Sequence, residues 1–385
     1  MIDLNTARLR SNPRFRLVSF DECDERERLL LEPLAQDSNF YGILAPPDTS
    51  PAPAKSMSRD AALLFMSLRE PAIVPHLLTS LFGASVQERI QELILDGVFE
   101  IEQDGAFASG SAALPQLSND SREKPNSQVA QLSNEAMVYV TAAEGLSPSE
   151  AAARLYMYNR VPCTPALQRR FARDDDVLAF LAGKTALAKR LQKYWVREVS
   201  QEAWLTWHQA SSASHGFKLF ISPTLDGLPQ TFEVAVDAFC QVKCSHFKVG
   251  RSAFGLLRPD KFVAYFESLE QVKEAAELIR ASTSGVSAQG VPFTAAIDTE
   301  GLTSWGMDPP RFEQVMAWQE HQSWRQWVTE RLAVYTLAAK ESGAENVVEF
   351  ASRRIGFDGV NPDTWTPNLA IWRGSVGTED GAHEY

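Results

Sequence analysis

The chain has 385 residues, 44% of them hydrophobic, and a formal charge of −12. That length can bury a sizeable core and predicts two or three domains, while the acidic balance excludes bulk nucleic-acid binding, which takes a broad basic surface. No apolar run reaches the ~18 residues of a membrane-spanning helix, and the opening "MIDLNTARLRSNPRF" lacks the apolar stretch of a signal peptide, so the expectation is a cytoplasmic protein without a membrane partner.

Residues 1–57 read as a mixed segment: "CDERERLLLEPLAQDSNFYGIL" is helical and then turns, and "APPDTSPAPAK" is an extended, Pro-rich linker. From Ser58 the pattern tightens. Ser58 caps a helix carrying Leu63, Leu64, Met66 and Leu68, and Pro71 and Pro75 bracket a break. Ser85 and Glu88 form a Ser-x-x-Glu capping box, and Asp96-Gly97 ends the helix that follows. "VFEIE", "QDG" and "AFAS" then read as a hairpin. Helices followed by a hairpin suggest a winged-helix-like module over 58–110. Eight acids against three arginines there argue for a peptide or protein partner, or plain packing, over DNA.

Leu114–Asn134 is polar and rich in Ser and Asn, so it reads as a linker. Residues 135–205 are predicted helical, with Pro148 at the first position of the clearest helix. From about 215 the period changes. "FKLFISP" is a strand, "LPQTFEVAVDAFCQVKC" a helix, and "HFKVG" and "KFVAYFE" strands. "SLEQVKEAAELIRAS" is a helix opened by a Ser268–Gln271 capping box, and "VPFTAAI" and "LTSWGM" are strands. The order β-α-β-β-α-β-β predicts an α+β fold, with helices covering a mixed or antiparallel sheet. After 310 a long Trp-rich helix follows, with Trp318, Trp324 and Trp327 as core or interface anchors, and the tail after Trp372 is polar. The predicted domains are 1–113, a linker 114–134, a helical region 135–205, the α/β region 206–320, and a C-terminal helix and tail 321–385.

The four cysteines, Cys23, Cys163, Cys240 and Cys244, read as reduced thiols, because only the last two are close and two ligands do not make a structural zinc site. The informative feature is a basic island. Between Lys243 and Lys261 stand Lys243, Lys248, Arg251, Arg258 and Lys261 against one acid, Asp260. His246 and Lys248 share one face of a strand, as do Lys261 and Tyr265, and Lys218 lies on the strand before. Such a set suits a phosphoryl group, which arginine meets with a fork and lysine with a point charge. A lysine among cations has its pKa lowered and can act as a base near neutrality. Together they could bind a phosphorylated residue, take the proton beside its carbonyl and expel phosphate. The plainer alternative is that basic residues guard sheet edges against aggregation. A kinase would need magnesium-binding carboxylates and a nucleotide loop, which the sequence lacks.

"KLFIS", "FKVG" and "KFVAYF" resemble successive strands of the phosphothreonine lyases, the bacterial effectors that eliminate phosphate from phosphothreonine. The wider run through "GVPFTAAI…GLTSWGMDPP" is similar to the HopA-type effector-like proteins of class V lanthipeptide and thioamitide gene clusters. The resemblance covers about 206–320, is looser over 136–205 and the Trp-rich helix, and does not extend to the N-terminal third. It implies a phosphothreonine-lyase-like fold and a phosphoserine/phosphothreonine lyase working on a precursor peptide beside a separate kinase, and a cyclase, with no metal or cofactor. It puts Lys248 at the base position, Lys218 at the lysine that steadies carbonyl or phosphate, and Tyr265 at a substrate-site tyrosine. Arg258 falls near a phosphate-binding arginine, with Arg251 and Lys261 as further phosphate ligands. The family's histidine acid falls on Phe220, which cannot donate a proton, so either His246 or His215 substitutes, His246 being favoured because it shares a face with Lys248, or the phosphate leaves unprotonated with the cations stabilising it. The family's arginines after the last strand have only Arg311 as a poor counterpart. Two other readings stand beside this one: a non-catalytic partner binding a peptide or kinase, and a secreted effector acting on host phosphoproteins.

Overall fold

The computed structural model describes residue 4 and residues 6–46, 54–83, 86–117, 125–183, 185–198, 203–209, 216–309 and 322–369. These divide into two compact units. None of the described helices is long and apolar enough to cross a membrane.

The first unit takes the described residues of Met1–Arg122 and Leu337–Asp358. In chain order it holds β1 (Leu9–Ser11), β2 (Arg16–Ser19), α1 (Glu25–Ala35), β3 (Phe40–Ala45), β4 (Lys55–Ser58), α2 (Arg59–Ser67), α3 (His76–Phe82), α4 (Val86–Leu95), β5 (Phe99–Gln103), β6 (Ala106–Ala108) and α5 (Leu114–Leu117). The Ser58 hydroxyl accepts from the Ala61 N–H and so starts α2. The β5–β6 turn places Asp104 and Gly105 at φ of 50° and 80°, the paired positive values that match a hairpin's twist. Three helices and a hairpin follow one another here, and β1 joins β5 to complete an antiparallel sheet. The segment expected to turn after α1 is instead β3, the middle strand of a second antiparallel sheet with β2 and β4. Its Phe40, Gly42, Ile43 and Leu44 are buried, so packing rather than local turn chemistry decides its form. Residues 47–53 of the Pro-rich linker and the Ser85 cap lie outside the described residues, and the linker's ends Ala45 and Lys55 belong to β3 and β4.

The second unit takes the described residues of Glu123–Pro310, Gln322–Thr336 and Gly359–Tyr385. The helical stretch 135–205 and the sheet that follows it form one compact unit, not two. The expected linker ends in helix: the Ser127 hydroxyl accepts from the Ala130 N–H and opens α6 (Gln128–Ala142). Then come α7 (Pro148–Met157), α8 (Pro165–Arg170), α9 (Asp174–Ala182), α10 (Thr185–Tyr194), β7 (Val196–Glu198), β8 (Trp204–His208) and β9 (Phe217–Ile221). After them run α11 (Leu228–Val242), β10 (His246–Gly250), α12 (Ala253–Leu256), β11 (Phe262–Phe266), α13 (Leu269–Ser282), β12 (Ala295–Ala296) and β13 (Thr303–Met307). The chain continues with α14 (Trp324–Glu341) and α15 (Val347–Phe357); the latter lies in the first unit.

The seven strands β12-β13-β9-β11-β10-β8-β7 form one antiparallel sheet, so the fold is α+β. The predicted β-α-β-β-α-β-β order is present as β9, α11, β10, β11, α13, β12 and β13, with the short α12 inserted between β10 and β11. "VPFTAAI" gives only a two-residue strand. The Ser268 cap holds, but the Gln271 side chain accepts from the Glu267 N–H rather than from Ser268. Strand alternation splits the sheet into two chemistries. Leu219, Phe247, Val249, Phe262 and Ala264 are fully buried on one side, among the apolar residues of α11 and α13. Phe247 is the hub: its ring lies 5.2 Å from those of Trp195, Trp207 and Phe239. Lys218, His246, Lys248 and Tyr265 alternate onto the other side.

Where β10 turns into α12, two glycines meet backbone to backbone. A Cβ on Gly250 would stand 2.2 Å from the Gly255 carbonyl carbon. Backbone cannot swing aside, so Gly250→Ala forces the turn apart. The expected cost is about 1–3 kcal/mol, read as a lower urea midpoint of the full chain. The same turn leads to Arg258.

Candidate active site

The register of the sheet assembles the site. One cross-strand row runs His208, His246, Tyr265, Lys218; the next runs Thr206, Lys248, Val263, Phe220. Tyr265 sits between the two lysines, with its ring 5.2 Å from Lys218 Nζ and 5.4 Å from Lys248 Nζ. The His246 ring stacks on Tyr265 at 4.5 Å. Lys218 is buried and pairs with Asp308 at 2.5 Å. The same carboxylate accepts from the Trp324 N–H at the start of α14.

Lys248 is placed differently. Among the described residues its ammonium has no hydrogen-bond partner and no paired carboxylate; it stands 4.6 Å over the Trp204 indole. Burial, and then the charges of Lys218 and Arg258, lower its pKa to about 8, against the opposing pull of Asp260 and Asp308. Arg258 stands over the same indole, with Cζ 4.9 Å from the ring centre. Burial also pushes the Tyr265 phenol up, with the Asp308 charge adding to it, so Tyr265 keeps its proton.

Behind Arg258 lies a buried carboxylate. Asp260 Oδ1 accepts from Arg258 Nε at 2.8 Å, and Oδ2 accepts from Arg258 Nη2 at 2.9 Å. Oδ2 also accepts from the Tyr156 hydroxyl at 3.2 Å and lies 2.9 Å from Arg325 Nη1. Burial alone would raise the Asp260 pKa, but Arg325 and Arg258 overcome it and hold the acid well below the usual carboxylate range. Arg258 Nη2 further donates to the Tyr156 hydroxyl at 2.9 Å. Arg325 is spent on structure: Nη2 donates to the Tyr156 carbonyl and Nε to the Pro292 carbonyl.

The structure therefore brings together Lys218, His246, Lys248, Arg258 and Tyr265. Two expected phosphate ligands go elsewhere. Lys261 is fully buried, and its ammonium donates to the Pro223 carbonyl at 2.8 Å and to Gln289 Oε1 at 2.6 Å. Burial lowers its pKa to about 7. It ties loops at the sheet's end because it stands one step beyond Val263 along the strand, opposite Gly250. Arg251 pairs with Asp174 of α9 at 2.7 Å. His215, Arg311 and Trp318 lie outside the described residues. Phe220 is buried in the row of Lys248, two strands away. Trp204, Tyr156, Asp260, Asp308 and Arg325 complete the site and were not singled out as site residues from sequence. Asp260 alone carried a signal, as the one acid of the island. Among the described residues no cluster of three His, Cys, Asp or Glu side chains could hold a metal ion.

No protein-family model and no curated protein matches the chain. Solved structures similar to it include the effector protein from Pseudomonas syringae pv. syringae strain 61, at 12% identity and a TM-score of 0.40, covering 63% of this chain and 99% of that one. The effector protein from Pseudomonas syringae pv. tomato strain DC3000 is similar at 12% identity and a TM-score of 0.38, covering 62% and 98%. The phosphothreonine lyase SpvC, an effector protein from Salmonella, is similar at 13% identity and a TM-score of 0.25, covering 48% and 91%.

Proposed function

We propose that the chain is a carbon–oxygen lyase that eliminates phosphate from phosphoserine or phosphothreonine, giving dehydroalanine or dehydrobutyrine. The observation that carries this reading is Lys248: an amine without a hydrogen-bond partner among the described residues, with its pKa lowered to about 8, beside an arginine over the same indole. Nothing else about the island requires a lysine to be partly buried and left unpaired. The substrate in this reading is a precursor peptide in the cytoplasm. A separate kinase installs the phosphate, and a cyclase uses the product.

The chemistry follows from the positions. Neutral Lys248 takes the proton from Cα. The electrons of that bond form the Cα=Cβ double bond, the Cβ–O bond breaks, and phosphate leaves with its bonding pair. Lys218, held by Asp308, lies next to the base and steadies the negative charge that develops on the carbonyl oxygen. Arg258 receives the phosphate. His246, on the face of Lys248, supplies a proton to the leaving oxygen; the Lys248 ammonium then returns its proton to water and His246 takes one back from water, which restores both groups. Phe220 favours a second reading, a non-catalytic clamp for a phosphorylated peptide, because no acid stands at that place in the Lys248 row.

The pH profile tests the first reading. Lys248 is a base only when neutral, so the base limb of kcat/KM for phosphate release rises with pH up to about 8. Below that value each pH unit lowers the rate about tenfold. The substrate phosphate, with a second pKa of about 6, is mostly dianionic from about pH 7 upward. A rate flat from pH 6 to 9 rules out Lys248 as the base.

A further inference from the structure

We propose that Asp260 is a positioning residue: it grips Arg258 by one edge, leaves the opposite edge open for the anion, and sets the charge balance felt by Lys248. This rests on the reading of Lys248 and Arg258 as the anion site. The carboxylate takes Arg258 side-on through Nε and Nη2. Nη2 spends its remaining donor on the Tyr156 hydroxyl. Nη1, on the far edge of the guanidinium, has no hydrogen-bond partner among the described residues. A planar fork fixed along one edge can point only one way. The fixing is itself braced, since Arg325 and Tyr156 hold Asp260 from α14 and α7.

The same carboxylate reaches Lys248 through charge. The groups acting on that ammonium are Lys218 of β9, Arg258 and Asp260 before β11, and Asp308 after β13. Tyr265 of β11 lies against it, and His246 shares its strand face. Two of these are cations that favour a neutral lysine, and two are anions that oppose it. Asp260 is the larger of the two carboxylate charges that keep Lys248 from losing its proton at still lower pH. The one acid in a basic island is the part that makes the island usable.

The test uses the full chain, with lysine carbons labelled for NMR titration and inorganic phosphate as the probe. In Asp260→Asn the Lys248 midpoint moves to lower pH than in the unchanged chain. That substitution leaves Arg258 and Arg325 buried without a counter-charge and can fail to fold. The double variant Asp260→Asn, Arg325→Met removes one charge of each sign. Its Lys248 midpoint stays below that of the unchanged chain, since Arg325 is not among the charges acting on that ammonium, and phosphate binds about tenfold or more weakly because Arg258 is no longer held. An unmoved midpoint in a folded Asp260→Asn chain overturns the proposal, and so does a double variant that binds phosphate as the unchanged chain does. Neither readout needs turnover. A chain that meets both expectations but releases no phosphate from a phosphopeptide defeats the lyase reading and leaves the role of Asp260 intact.

Discussion

Lys248→Ala lowers the rate of phosphate elimination from a phosphopeptide by about 10²–10⁴-fold, the range lost when a general base is removed. The fold should not suffer. Lys248 makes no hydrogen bond among the described residues, and its burial costs free energy because it disfavours the charged form. Removing it leaves thermal unfolding unchanged or slightly raised. That combination separates a base from a structural lysine: Lys261, tied to Pro223 and Gln289, is expected to show the opposite pattern. Steady-state kinetics together with a melting curve of each variant checks it. A Lys248→Ala chain that keeps its rate removes the base assignment.

Arg258→Ala lowers kcat/KM by about 10²–10³-fold, comparable to the loss of one donor aimed at developing charge. The cause is the loss of the open guanidinium edge over Trp204, where the leaving phosphate gains negative charge as the Cβ–O bond breaks. Arg258→Lys recovers little, because a lysine cannot both fork onto Asp260 and present a second edge. Removing Arg258 also leaves Asp260 with Arg325 as its remaining ion pair, so the carboxylate stays charged and buried. Competition by inorganic phosphate separates the two effects. A binding site lost with Arg258 weakens that competition, whereas a purely catalytic loss leaves it unchanged.

Much of the sheet was legible in the sequence because its rules are local. Alternation of Phe262, Ala264 and Phe266 against Val263 and Tyr265 marks β11, and helical spacing of Phe232, Val236 and Phe239 marks α11. The parity that puts His246 with Lys248 follows from a period of two. What local rules do not encode is the partner across the fold. Arg325 and Tyr156 reach Asp260 from α14 and α7, and nothing in either helix's periodicity distinguishes them from ordinary surface or core residues. Asp308 was likewise hidden, since its pairing with Lys218 depends on β13 lying beside β9. Lys261 misled for the same reason. It shares the parity of Tyr265, yet one more step along the strand carries its side chain to the loops at the sheet's end. β3 escaped because a short buried strand after a helix carries no alternation to read.

The most direct measurement is mass spectrometry of a synthetic phosphoserine and phosphothreonine peptide incubated with the full chain at about pH 8. Elimination removes phosphoric acid and leaves an alkene that adds thiols, and Lys248→Ala slows both changes by about 10²–10⁴-fold. A product that regains the serine or threonine hydroxyl, heavier than the alkene by one water, is hydrolysis and contradicts the account. An unchanged phosphopeptide contradicts it equally, and leaves Lys248 and Arg258 as a clamp.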